Sequence, residues 1–184
     1  MSSALQRDLL RPANLVSLAR IALVCGAAGA LLAGRPLVTL ALGVPAGLSD
    51  YLDGWLARRR GEATQLGALL DSFADSVFML VLLVAAQHIG VWPFYLLLAW
   101  GLRDLGVLAL RASAAQQGLT VPSSLAGKVA FNVSGWSFFL MTLDLAWPLP
   151  WLRWVAWVAI HAGIALSWLA AGGYLAEYAR RYRG

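Results

Sequence analysis

Apolar stretches of about 20 residues, long enough to cross a bilayer as a helix, recur six times along this chain, near 15–33, 37–58, 66–87, 92–112, 124–145 and 152–176. Little but short connections separates them. Backbone immersed in hydrocarbon must satisfy its own hydrogen bonds, and runs of this length do so as helices. The expected fold is therefore an all-α integral membrane protein of six transmembrane helices. Of 184 residues, 60% are hydrophobic and 12% charged, which leaves no segment for a soluble domain. One membrane domain over 1–184 is expected, with 1–13 as a short N-terminal interfacial helix carrying Arg7, Asp8 and Arg11, and 14–184 as the six-helix transmembrane part.

The net charge of +5 is informative through its location, because basic residues near span ends mark the cytoplasmic side. Ten of the fourteen fall on one side: Arg7, Arg11, Arg58, Arg59, Arg60, Arg111, Lys128, Arg180, Arg181 and Arg183. Both the N- and C-termini are expected to be cytoplasmic, with Arg35 and Arg153 outside and Arg20 and Arg103 within spans. These basic residues are dispersed over four segments and each is accounted for by topology, so no nucleic acid partner is expected. Trp92, Tyr95, Trp147, Trp151 and Trp154 fit an outer aromatic belt, and Tyr174, Tyr178 and Tyr182 an inner one. Cys25 stands alone, which excludes an intrachain disulfide, and reads as a small core residue. Gly34-Arg35-Pro36 and the region from Gly90 to Pro93 are expected to form outer turns.

Against this background the stretch from Asp50 to Asp75 is anomalous. It places Asp50, Asp53, Asp71 and Asp75 in sequence apolar enough for lipid, where a carboxylate is costly unless paired, hydrated or bound to a cation. Helical spacing puts Asp50, Asp53, Gly54 and Ala57 on one face, and Gly67, Asp71 and Asp75 on one face of the next span. The short inner loop at 58–64 makes these spans antiparallel neighbours, so the carboxylates can converge near the cytoplasmic surface, beside a groove left open by the small residues. Hard oxygen ligands in this number suit Mg²⁺ or Mn²⁺, two ions being possible, and Arg58 can meet phosphate charge. Phosphoryl transfer is the chemistry these parts serve, with one carboxylate free to take the proton of an attacking hydroxyl. Helix–helix hydrogen bonds could account for one aspartate but not four. An ion-coupled transporter is the competing class, yet the carboxylates lie within a few turns of the inner loop, and the last two spans offer Asp144 alone as a relay.

Asp50, Asp53, Gly54, Ala57, Arg58, Gly67, Asp71 and Asp75 together reproduce D-x2-D-G-x2-A-R-x8-G-x3-D-x3-D without departure, and the chain resembles the CDP-alcohol phosphatidyltransferases. The resemblance extends to six spans with a cytoplasmic site. It implies an enzyme of phospholipid biosynthesis that transfers a phosphatidyl group from CDP-diacylglycerol to an alcohol and releases CMP. Family members are homodimers, and a bacterial inner (cytoplasmic) membrane location is implied, the active site facing the cytoplasm. On these positions Asp50, Asp53, Asp71 and Asp75 would hold two divalent cations, Mg²⁺ or Mn²⁺, with Asp75 also the catalytic base. Gly54, Ala57, Arg58 and Gly67 would accommodate the CDP moiety, Arg58 toward the pyrophosphate.

The acceptor is expected at a second cluster, Arg103, Asp104, Arg111 and Lys128, where arginines could hold an anionic group between spans 4 and 5. Alternatively Arg103 and Asp104 pair with each other while Arg111 and Lys128 reach toward the surface. The surrounding pattern resembles the phosphatidylglycerophosphate synthase branch and eukaryote-like cardiolipin synthases, which favours glycerol 3-phosphate. Asp71-Ser72-Phe73-Ala74-Asp75 departs from the D-P-x-A-D-K common in those branches and is similar to phosphatidylserine synthases, so phosphatidylglycerol, serine and inositol phosphate stay open as acceptors. Asn14 and Arg20 resemble part of a P-N-x-x-[ST]-x-x-R opening of the first span and could touch the site, although Asn14 could equally cap a helix. His88 and His161 are expected to be structural.

Overall fold

In the computed structural model the backbone is described for residues 12–60, 65–116 and 124–182, and side chains for 15–49, 73–114 and 124–180. Among the described residues there are six α-helices and no strand: α1 (Pro12–Leu32), α2 (Pro36–Arg60), α3 (Gln65–His88), α4 (Phe94–Gln116), α5 (Leu125–Ala146) and α6 (Pro150–Tyr182). Among the described residues, three segments have the length and composition of a bilayer crossing, Leu15–Leu32, Leu125–Ala146 and Pro150–Arg180. Pro36–Ser49 and Phe73–His88 are shorter apolar stretches, and α4 carries Arg103, Asp104 and Arg111 along its length. The expected interfacial helix over 1–13 falls almost wholly outside the described residues.

The helices form two groups, α1–α3 within Met1–Val91 and α4–α6 within Trp92–Gly184. In the first, α1 packs against both α2 and α3; in the second, α6 packs against both α5 and α4. The buried stripe of α1 is Ser17, Arg20, Val24, Ala27 and Leu31, alternating three and four residues apart as one helix face requires. Large apolar side chains elsewhere point outward, including Leu102, Leu105 and Leu108 of α4. A water-facing surface would not tolerate so many; lipid does. Cys25 lies on this outer side of α1, exposed. That overturns its reading as a core residue: the apolar stripe passes through Val24 and Ala27 instead.

Two turns follow one design. At the end of α1 the Gly34 N–H donates to Leu31 O at 3.0 Å and the Arg35 N–H to Ala30 O at 2.9 Å. At the end of α3 the Gly90 N–H donates to Gln87 O and the Val91 N–H to Ala86 O, both at 3.0 Å. Gly34 and Gly90 have φ of 67° and 73°, a left-handed conformation that costs other residues about 1–2 kcal/mol. Both glycines thus close Schellman caps that satisfy orphan helix carbonyls.

Between α5 and α6 the turn is fixed by a buried carboxylate. Asp144 Oδ1 accepts from the Leu149 N–H at 3.1 Å and Oδ2 from Arg153 Nε at 2.8 Å. A negative charge beside the first turn of α6 also opposes the positive end of its dipole. Asp144 is thus committed to the turn, leaving the transporter alternative without its relay. Along the shared seam, α5 buries Ala130, Ser134, Ser137 and Met141, and α6 buries Ala156, Ile160, Gly163 and Ser167, letting the backbones approach closely. A Cβ at Gly163 would collide with Ser134 Oγ and lie 3.1 Å from Ser134 N and 3.2 Å from Ala130 O.

Trp92 departs from its belt assignment. It is 2% exposed and packs edge-on to Phe138 with ring centroids 4.7 Å apart. Tyr95, Trp147, Trp151 and Trp154 remain exposed, as a belt requires. His161 accepts or donates at Tyr95 Oη over 2.6 Å and contacts Trp157 O at 2.7 Å, a structural link between α4 and α6.

Candidate active site

In the first group the described chemistry centres on Arg20. It is 1% exposed, on the inward stripe of α1. Its Nη1 donates to Asp75 Oδ1 of α3 at 2.8 Å, and its Nε donates to Ser49 Oγ of α2 at 3.0 Å. Ser49 immediately precedes Asp50, and its hydroxyl donates to Ala46 O at 2.7 Å. One guanidinium therefore brings together the residue next to the first motif aspartate and the last motif aspartate. A buried arginine is costly unless its charge is matched and its donors used; here a carboxylate meets the charge and a hydroxyl takes the Nε donor. Asp75 keeps a side-chain exposure of 33%, so it is held but reachable.

Asp50, Asp53, Gly54, Ala57 and Arg58 lie on the helical backbone of α2, and Gly67 and Asp71 on that of α3. Their side chains, like that of Asn14, lie outside the described residues. The backbone keeps Asp50 and Asp53 one turn apart on α2, and Asp71 and Asp75 one turn apart on α3, so that each pair falls on one helix face. Carboxylate oxygens are the donors that Mg²⁺ and Mn²⁺ prefer, so the donor set fits such ions.

In the second group, Arg103 and Arg111 of α4 gather around the start of α5 and the far part of α6. Arg103 Nε donates to Ser167 O at 3.2 Å and Nη1 to Asp104 Oδ1 at 3.1 Å. The pairing of Arg103 with Asp104 weighed from the sequence is therefore formed. Arg111 lies with its guanidinium carbon 5.7 Å from the Tyr174 ring centroid, and its buried Nε has no hydrogen-bond partner among the described residues. Ser124 caps α5, its Oγ accepting from the Gly127 N–H at 3.1 Å, while its own N–H donates to Tyr174 Oη at 2.5 Å. A Cβ at Gly127 would stand 3.2 Å from Tyr174 Oη and 3.7 Å from Arg103 Nη2, so a small residue is needed for these side chains to pack this closely on the start of α5. Lys128 is exposed on the first turn of α5.

Tyr174 was expected in an inner belt; it is 4% exposed and joins α6 to the α5 cap. Ser49, Ser124 and Tyr174 are the members of these clusters that sequence reasoning missed. For Ser49 the available signal was its place directly before Asp50; for Ser124 it was the S-S-L-A-G pattern of a helix start.

The helices and their charged clusters describe an all-helical protein with helices apolar enough to cross a membrane and with carboxylates and arginines set against one another. Comparison with known sequences supplies the class. A profile of the CDP-alcohol phosphatidyltransferase family matches residues 10–168, and the chain belongs to that family. Among its relatives, a Mycobacterium tuberculosis protein named "Probable phosphatidylglycerophosphate synthase" is 31% identical over 148 residues, covering 80% of this chain and 69% of the relative. A cardiolipin synthase (CMP-forming) of Streptomyces coelicolor is 31% identical over 153 residues, covering 82% and 70%. The CDP-diacylglycerol–glycerol-3-phosphate 3-phosphatidyltransferase of Salmonella typhimurium is 34% identical over 146 residues, covering 76% and 73%. The protein is a CDP-alcohol phosphatidyltransferase.

Proposed function

We propose that this enzyme transfers the phosphatidyl group of CDP-diacylglycerol to glycerol 3-phosphate, releasing CMP, as a step of phospholipid biosynthesis. The observation that carries the site assignment is the Arg20 guanidinium between Ser49 and Asp75, which supports the meeting of α2 and α3 at their motif residues. Two relatives named for glycerol-phosphate products or acceptors support the choice of alcohol.

In this proposal Asp50, Asp53, Asp71 and Asp75 would hold two divalent cations, Mg²⁺ or Mn²⁺, which when bound neutralise the pyrophosphate and polarise the attacked phosphorus. Gly54, Ala57 and Gly67 leave room for the CDP moiety, and Arg58 faces its pyrophosphate. Asp75 accepts the proton of the acceptor hydroxyl, whose oxygen forms a new bond to the phosphorus nearest diacylglycerol as the pyrophosphate P–O bond breaks and its electron pair leaves with CMP. Arg103, Arg111 and Lys128 bind the phosphate of the acceptor, a role supported by the Arg111 Nε that has no hydrogen-bond partner among the described residues. Asn14 is a further contact from α1. The proposal includes a single six-span domain with cytoplasmic ends in a bacterial inner membrane, acting as a homodimer with its site at the inner leaflet, where lipid donor, surrounding membrane lipids and soluble acceptor meet.

The relative in Streptomyces coelicolor favours a second acceptor, phosphatidylglycerol, with cardiolipin as product. Purified protein in detergent with Mg²⁺ or Mn²⁺ distinguishes the two when CMP release from CDP-diacylglycerol is followed with glycerol 3-phosphate, phosphatidylglycerol, serine and inositol phosphate. Release with glycerol 3-phosphate is the expected result. Release with phosphatidylglycerol alone would transfer the assignment to cardiolipin synthesis, and none with any acceptor would end both.

A further inference from the structure

We infer that Arg20 and Ser49 act as a positioning pair that fixes Asp75 for proton transfer, an assignment that rests on Asp75 as the base proposed above. The hydrogen-bond directions define the brace. Ser49 has one hydroxyl proton and spends it on Ala46 O of its own helix, so its oxygen is left as the acceptor for Arg20 Nε. Nε and Nη1 lie in one rigid plane, so fixing Nε on α2 sets where Nη1 meets Asp75 Oδ1 on α3. The three helices α1, α2 and α3 are thereby linked at one carboxylate oxygen.

Two observations separate this role from the neighbouring ones. Arg20 is 1% exposed with both named donors engaged inside the protein, which disfavours a direct grip on the nucleotide phosphates. The contact ends on a carboxylate that is one-third exposed rather than on a buried partner, which disfavours an ion pair serving packing alone. A carboxylate displaced by about 1 Å from its productive position can lose on the order of 100-fold in rate, so a brace of this kind is expressed in kcat.

Steady-state CMP release by purified Arg20→Lys, Arg20→Gln and Ser49→Ala proteins tests it, with kcat and the KM of each substrate determined separately and melting temperature recorded for each variant. Ser49→Ala is expected to lower kcat by roughly 3- to 10-fold and Arg20→Gln by about 10- to 100-fold, with both KM values within about twofold of wild type. Arg20→Lys, which keeps the charge but has no Nε, should fall between them. Adding Ser49→Ala to Arg20→Lys should change kcat little further, because the contact it removes is already gone. A raised KM for CDP-diacylglycerol at constant kcat would make Arg20 a substrate contact and overturn the inference. So would unchanged kcat per folded molecule alongside a lowered melting temperature. Should the Arg20 variants fail to fold, Ser49→Ala decides by itself. Asp75→Asn, assayed in parallel, keeps the two claims apart: turnover in that variant removes the base assignment, whereas an inactive Asp75→Asn beside fully active Arg20 and Ser49 variants removes the brace alone.

Discussion

Asp75 combines two properties that a proton acceptor in a membrane enzyme needs, a fixed oxygen and access. The first comes from Arg20 at 2.8 Å and the second from its partial exposure. Asp75→Asn keeps the size and most of the hydrogen bonding of the side chain but removes its basicity. Turnover is expected to fall below detection while equilibrium binding of CDP-diacylglycerol is retained; loss of binding instead would assign Asp75 to holding substrate. Arg111 presents the complementary case, a cation whose buried Nε lacks a partner among the described residues and whose plane lies near Tyr174. A charged hydrogen bond to phosphate contributes about 1.5–3 kcal/mol. Arg111→Ala should therefore raise the KM for glycerol 3-phosphate by at least about tenfold with kcat changed much less, and an unaltered KM would remove Arg111 from acceptor recognition.

Among the elements, α5 and α6 depend on close backbone approach more than on bulky side chains. Gly163 lies where Ser134 and Ala130 leave no space for a Cβ, whereas a Cβ at Gly172, on the same helix, would meet nothing within 4 Å. Gly163→Ala should destabilise the protein by about 1–3 kcal/mol through overpacking, and Gly163→Val by more. Gly172→Ala should be neutral or slightly stabilising, since alanine is favoured over glycine inside a helix by up to about 1 kcal/mol. Thermal unfolding in detergent compares the three, and equal melting temperatures for the Gly163 and Gly172 variants would show that the seam relaxes freely. The turn preceding α6 adds a polar lock, with Asp144 joining Leu149 and Arg153.

For the molecule as a whole, packing and the motif aspartates draw on different residues, Arg20 being, among the described residues, the one side chain that serves both the buried stripe of α1 and the site. The first group is built on α1, whose buried stripe is apolar or small apart from Arg20, the second on α6, and neither stripe contains a motif aspartate. Removing divalent cations with EDTA should therefore abolish CMP release while leaving helical content, followed by circular dichroism, almost unchanged. Added Mg²⁺ or Mn²⁺ should restore activity. Collapse of the helical signal on chelation would mean that the ions also hold the fold.

The six helices and their ends were legible in the amino-acid sequence because hydropathy and turn chemistry act segment by segment. Apolar runs cover each helix to within a few residues except at the far end of α6, and Gly34 and Gly90 stand where left-handed caps are needed. The spacing of Asp50, Asp53, Asp71 and Asp75 was equally local, and with the match over residues 10–168 it determined the family. Other features depended on how each helix is rotated against its neighbours. Trp92 and Tyr174 fit a lipid interface or a core equally well by position, and packing against Phe138 and Ser124 decided for the core. Cys25 turned outward for the same reason. The contacts of Arg20 with Ser49 and Asp75 span 29 and 55 residues. No local periodicity encodes contacts at that range, because they exist only once three helices are docked at one height and one rotation. Tertiary structure alone therefore chose which buried charge meets which carboxylate.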